Sequence, residues 1–337
     1  MDIVSIIKNK INWLMQRIID YYPTIIQIGI TNKCNLLCIM CRRVSVTEKY
    51  PSFLEVEKHS SLLEMEMSFE RFKEILSQFP KLKKICLTGP GENFLNKDFL
   101  KMLKYAKEKK IYVEFFDNFY FLDEEKANKL IDIGVDKIYV SIDGATKETY
   151  EKIRIGSDFD RVIKNIKGLF YLKKRRQEIY PEINFNYVIN TYNFLEVLAF
   201  MDLATSIAVG EKFSIQFIDM VNFNGNQSNL CLKENLTQKI IFQAIKKAKK
   251  MGITINHVHK IKKNIINCQH WLMPIIVPHG YVFPCCSAPY DAIDMGNINE
   301  KSFKEIWNSD NYKNFRKGIR IGRTPIFCKN CEFYGKK

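Results

Sequence analysis

The sequence predicts an α/β fold, a partial (β/α)6 TIM-like barrel carrying a small C-terminal domain, on three observations. Short β-rich runs alternate with helical patterns through six units between residues 24 and 220. Several of those runs are nearly continuously apolar, as expected of parallel strands with helices on one face and a packed interior on the other. The alternation then stops, and the last part of the chain is short elements broken by Pro274, Pro278, Pro284, Pro289 and Pro325.

Taken in order, residues 1–22 place Ile3, Ile6, Ile7, Ile11, Leu14, Ile18 and Ile19 near helical spacing, which predicts an amphipathic N-terminal helix. It would pack on the main domain or lie on a membrane surface. Residues 23–220 form the barrel. Its strands are expected at 25–30, 84–88, 111–116, 137–142, 183–189 and 212–218, with helices near 69–78, 98–109, 124–133, 159–175 and 193–208. A polar run from Asn222 to Asn229 opens a connection over residues 221–260, containing a helix at 235–250 and a candidate strand at 253–257. Residues 261–337 complete the chain. A segment so broken has little core of its own, so metal ligation is a plausible staple.

The 337 residues carry a net charge of +15, but the lysines are spread along helical patterns as solvated faces, and no nucleic-acid partner is expected. No run of apolar residues is long enough to span a membrane and no export signal opens the chain, so a cytoplasmic location is expected. There the ten cysteines serve metals or chemistry rather than disulfides.

Cys34, Cys38 and Cys41 make a C-x3-C-x2-C loop directly after the first predicted strand, at the end of a barrel where active sites gather. Thiolates are soft ligands that suit a 4Fe-4S cluster, and three of them leave one iron open to a small molecule. A structural zinc site or buried unliganded cysteines are the plainer alternatives.

This motif resembles the signature of the radical S-adenosylmethionine (SAM) superfamily, and further segments follow in the family's order across residues 24–220. Leu87 to Glu92 at the end of strand two is similar to the family's glycine-glutamate motif. The resemblance implies SAM contacts at Gly89, Gly91 and Glu92, the last holding the methionyl ammonium. The Ser141-Ile142-Asp143 run and its continuation to Arg154 resemble members with a SPASM or twitch extension. By that likeness Ser141 lies near the ribose or carboxylate of SAM, and Arg154 pairs with its carboxylate. A helix N-cap region and a surface ion pair are the alternatives. Asn118 stands where many relatives have Thr-Asn-Gly, but the run here is Asp117-Asn118-Phe119. Met40 replaces an aromatic common before the third cysteine.

The C-terminal cysteines fit the same likeness. Gly280 to Cys285, Met295 to Ile298 and Phe303 to Asn308 resemble a SPASM or twitch module. Its four ligands would be Cys268, Cys285, Cys328 and Cys331, with Cys286 the alternative to Cys285, for one auxiliary 4Fe-4S cluster. A zinc ion on those four is the competing reading. Cys86 is read as a small core residue, and the histidines have no ligand spacing.

Two 4Fe-4S clusters, SAM and an electron donor such as flavodoxin or ferredoxin are thus implied. So is a radical that abstracts a substrate hydrogen, with a two-electron oxidation as the natural outcome. The single-cluster pattern resembles both aminocyclitol dehydrogenases and peptide maturases, and because residues 1–22 are too short for the peptide-recognition domain that such maturases usually add, a sugar- or cyclitol-like metabolite is slightly favoured over a peptide. A peptide maturase is the alternative, and a nucleic-acid modification enzyme or a non-catalytic zinc protein are distant ones. Glu114, Asp117, Tyr187, Asn190 and Gln216 are positional candidates near the substrate.

Overall fold

The computed structural model describes residues 22–41, 65–89, 91–222, 227–258, 268, 270–285, 294–323 and 328. The N-terminal helix, Cys286 and Cys331 lie outside them. Strands β1 (Ile25–Ile28), β2 (Lys84–Leu87), β3 (Tyr112–Asp117), β4 (Lys137–Ser141), β5 (Glu182–Ile189), β6 (Ser214–Asp219) and β7 (Thr254–Val258) pair in parallel in sequence order. Strand β8 (Ile275–Ile276) joins the free side of β1 in parallel, and β9 (Val282–Phe283) closes antiparallel on β8. The sheet order is β7-β6-β5-β4-β3-β2-β1-β8-β9, and its two ends do not meet.

Helices α1 (Phe69–Ser77), α2 (Phe99–Glu108), α3 (Glu124–Ile133), α4 (Lys147–Ile153), α5 (Phe159–Arg176), α6 (Val197–Ile207) and α7 (Glu234–Met251) fill the crossovers. Their ends follow from local chemistry. Ser68, Asp123, Thr146 and Asp158 each accept a backbone N–H three residues on, and Gly134 ends α3 at φ 71.

Alternation along the strands separates two faces. On one, Ile85, Leu87, Val113, Phe115, Ile138, Val140, Phe185, Tyr187, Ile215 and Phe217 join helix residues such as Phe72, Leu103, Leu130 and Phe170 in a continuous core. Phe115 meets Phe99 of α2 edge-on at 5.1 Å, and Phe185 meets Phe200 of α6 at 6.1 Å. Each such ring contributes roughly 1.5–3 kcal/mol on burial. The other face carries Gln27, Cys86, Glu114, Phe116, Tyr139, Ser141, Asn184, Asn186, Gln216 and Asn256. Several of these residues contact one another. Tyr139 stacks on Phe116 at 4.3 Å, and Gln216 donates to Asn186 at 3.1 Å.

Beyond residue 220, α7 and β7 extend the β/α alternation by another unit rather than leaving the sheet. The C-terminal segment also draws on the main core. Gln27 and Gly29 of the β1 edge donate to the Pro274 and Ile276 carbonyls at 2.9 and 2.8 Å. Helix α8 (Phe303–Trp307) sets Phe303 against Phe79 at 4.4 Å and Tyr22 at 5.5 Å. Helix α9 (Asp310–Arg320) buries Tyr312, Phe315 and Ile319. Arg71 of α1 reaches across to the Ile298 carbonyl at 2.8 Å and Asn299 at 2.6 Å.

Candidate active site

Because the strands are parallel, the segments that leave β1, β2, β3 and β4 emerge on one edge of the sheet. They carry, in turn, the three-cysteine loop, Gly89 to Glu92, Asp117-Asn118, and Ser141 to Asp143.

The loop is tied down on both sides. Leu37 and Ile39 donate backbone N–H bonds to the Ile155 and Ile153 carbonyls at 2.9 and 3.0 Å, and Gln227 Nε2 donates to the Ile39 carbonyl at 2.9 Å. Cys38 is buried, while Cys34 and Cys41 are half-buried. Burial pushes the Cys38 thiol up to about 12, with Arg154 acting against it. Three cysteines on one loop are a soft donor set, and the residues present fit an iron-sulfur cluster that binds each thiolate through a different iron.

Beside it, Glu92 and Asp117 are buried together. Glu92 Oε2 accepts from the Asn118 N–H at 3.2 Å, and Asp117 Oδ1 accepts from the Phe119 N–H at 2.7 Å. Glu92 Oε1, Asp117 Oδ2 and Asn35 Nδ2 are buried with no complementary partner when both carboxyls are ionised, and the two carboxyls lie within hydrogen-bond reach of each other, so one shared proton can join them. Burial holds both carboxyls above their ordinary range, Glu92 the more so because Asp117 adds a like charge. Two buried carboxylates with open oxygens form a receptor for an ammonium group, so the residues present fit the methionyl end of SAM. Asn118 is held by Asn35, to which its Nδ2 donates at 2.9 Å.

Gly91 and Glu92 lie close against the chain leaving β1. A Cβ on Gly91 would overlap the Thr31 and Lys33 carbonyls, and one on Gly89 would sit 2.8 Å from Gly29 Cα. Close backbone approach therefore explains both glycines. Phe119 takes the left-handed region at φ 61. Its ring is fully buried, and Asn165 donates to its carbonyl at 2.8 Å.

Ser141 ends β4 on the polar face. Arg154 is buried, donating from Nε to Asp143 Oδ2 at 2.7 Å, with Nη2 at 2.5 Å from the same oxygen and Nη1 3.9 Å from Cys38 Sγ. Asp143 is fully buried and also accepts the Val188 N–H at 2.6 Å. Neither Asp143 nor Asn35 is singled out by the sequence. The available signal was a carboxylate at the end of a parallel strand, eleven residues before a lone arginine.

At the second group, Cys268, Cys285 and Cys328 are each buried, although they come from three separated segments. Cys86 is buried on the polar face of β2.

Comparison with known proteins follows the same division. The family model described as "Radical SAM superfamily" matches residues 28–204, more than half of the chain, and the one described as "Iron-sulfur cluster-binding domain" matches residues 268–332. A probable GTP 3',8-cyclase of Methanocaldococcus jannaschii is 27% identical over 80% of this chain and 87% of its own. An AdoMet-dependent heme synthase of Methanosarcina barkeri is 26% identical over 92% and 89%. Among solved structures, Streptococcus suis SuiB bound to precursor peptide SuiA superposes with a TM-score of 0.69 at 14% identity, covering 97% of this chain and 73% of that one. That last likeness is one of fold.

Proposed function

Because the chain belongs to the radical SAM superfamily and is an enzyme whose cofactors are 4Fe-4S clusters and SAM, we propose that it oxidises a small neutral sugar- or cyclitol-like metabolite, converting a secondary alcohol to a ketone. When bound, these cofactors supply the one-electron chemistry: a radical that removes the substrate hydrogen and a sink for the electron left behind. In this reading Cys34, Cys38 and Cys41 hold the first cluster. Cys268, Cys285, Cys328 and Cys331 hold the second, with Cys286 the alternative to Cys285. The open oxygens of Glu92 and Asp117 receive the SAM ammonium. Asn118 and Ser141 line the same cofactor, while Gly89 and Gly91 let the segment that carries Glu92 lie close against the chain leaving β1. Flavodoxin or ferredoxin would deliver the electron.

The observation that supports the substrate class is the polar face of β5, β6 and β7. Asn184, Asn186, Gln216 and Asn256 present neutral carboxamides on adjacent strands, and Asn184 Oδ1 is buried without a partner. Carboxamides both donate and accept, which matches hydroxyl groups.

A peptide substrate is the second reading, favoured by the likeness to SuiB bound to its precursor peptide, since carboxamides also pair with backbone amides. Anaerobic incubation of the cluster-loaded enzyme with SAM, dithionite and carbon-deuterated substrates separates the two. Deuterium entering 5'-deoxyadenosine from cyclitols or sugars supports the oxidation. Deuterium arriving only from peptides replaces it.

A further inference from the structure

We propose that Arg154 sets the reduction potential of the first cluster through Cys38, as a positioning residue rather than a contact to SAM. The proposal rests on the reading that Cys34, Cys38 and Cys41 hold a 4Fe-4S cluster.

The juxtaposition is built by the backbone. Leu37 and Ile39, on either side of Cys38, donate to the carbonyls of Ile155 and Ile153, on either side of Arg154. The two central residues are thereby set face to face, with Nη1 directed at the sulfur at 3.9 Å. Asp143 fixes the other edge of the guanidinium through Nε and Nη2. Asp143 is itself fixed, by the Val188 N–H and by Asn193, which donates to its backbone carbonyl at 3.0 Å.

A fully buried ion pair is a poor stability device, because desolvation offsets most of the attraction and apolar residues of similar volume would do as well. The pair's position over a cysteine sulfur gives it a purpose. Hydrogen bonds and cations beside the sulfurs of an iron-sulfur cluster favour the state that carries one more electron. Arg154 therefore raises the potential, and Asp143 holds that rise in check.

The two residues should act with opposite signs. EPR-monitored redox titration of the cluster-loaded, SAM-free full chain gives the midpoint of the first cluster, and iron content is measured for each variant. We expect Arg154→Gln to shift the midpoint negative and Asp143→Asn to shift it positive, with the second cluster unmoved in both. Unchanged midpoints, or two shifts of the same sign, overturn the proposal. Loss of SAM affinity without any change in potential would make Arg154 a SAM-carboxylate contact only. Should Arg154→Gln fail to take up iron, Arg154→Lys keeps the charge but not the planar fork. A smaller negative shift in that variant supports the role, and none refutes it. If the unmodified protein loads no cluster on the three-cysteine loop, the underlying reading fails instead.

Discussion

Cys34, Cys38 and Cys41 share one short loop that β1 delivers and residues 153–155 clamp, whereas Cys268, Cys285 and Cys328 come from segments separated by whole elements. In the first group the backbone arranges the ligands before any metal arrives. In the second, Phe303 of α8 packs on Phe79 just beyond α1, and Arg71 of α1 holds the Ile298 carbonyl, so apolar packing joins these segments to the main core. The contrast is between a loop that exists for its cysteines and a core that carries cysteines along its edge. It predicts that chemistry and stability separate cleanly between the two groups.

The sharpest break of that comparison is a pair of ligand substitutions. Cys38→Ala should reduce SAM cleavage to background, whereas Cys328→Ala should leave reductive SAM cleavage measurable but uncouple it from product. Quantifying 5'-deoxyadenosine and product together checks both. Equal loss of SAM cleavage in the two variants would merge the sites into one functional unit.

Next in size is the packing that holds the second group. Phe303→Ala removes a ring set against Phe79, Tyr22 and Trp307, and should cost roughly 3–5 kcal/mol. Denaturant unfolding of the cluster-free protein should register that loss, while Cys328→Ala should change it little. The reverse ranking would make metal the true staple.

At the first group, Glu92→Gln should weaken SAM binding by about 10–100-fold, the value of a charge-assisted hydrogen bond. Its pH signature has a definite sign. Burial raises the Glu92 and Asp117 carboxyls, so the folded SAM-free protein keeps a proton that the unfolded chain releases. Stability is therefore full below the ordinary carboxylate range and falls as pH rises toward the folded values. SAM, which needs the ionised pair, should bind more tightly as pH rises through that same window. Glu92→Gln should flatten both slopes, as thermal melts and calorimetry across pH would reveal.

The smallest expected effect concerns Phe119. A glycine there would relieve a left-handed backbone, worth roughly 1–2 kcal/mol, but would lose a fully buried ring whose removal costs roughly 3–5 kcal/mol. Phe119→Gly should thus be destabilised by about 2 kcal/mol, with SAM binding retained.

Strands and helices were legible in the sequence because apolar spacing and capping residues act locally: Glu124–Ile133 is bounded by Asp123 and Gly134, just where the pattern placed it. The three-cysteine loop and Glu92 were legible because their residue types and order are chemically restrictive. The partners of these residues were not. Asn35 reaches Asn118 only through tertiary placement, which no spacing encodes, and Asp143 meets Arg154, eleven residues on, only once α4 folds between them. The C-terminal core was hidden for the same reason. Its apolar residues are few when counted by themselves, and their packing partners, Tyr22 and Phe79, lie more than two hundred residues away in the chain.

The central claim is that the chain makes a radical from SAM on the Cys34-Cys38-Cys41 loop. Its most direct test is single-turnover reduction of the anaerobically loaded protein with SAM, following 5'-deoxyadenosine and methionine. The account predicts both products in equal amounts from the unmodified protein and none from Cys38→Ala. Cleavage that survives in Cys38→Ala, or its absence from unmodified protein that carries its full iron and sulfide, would contradict it.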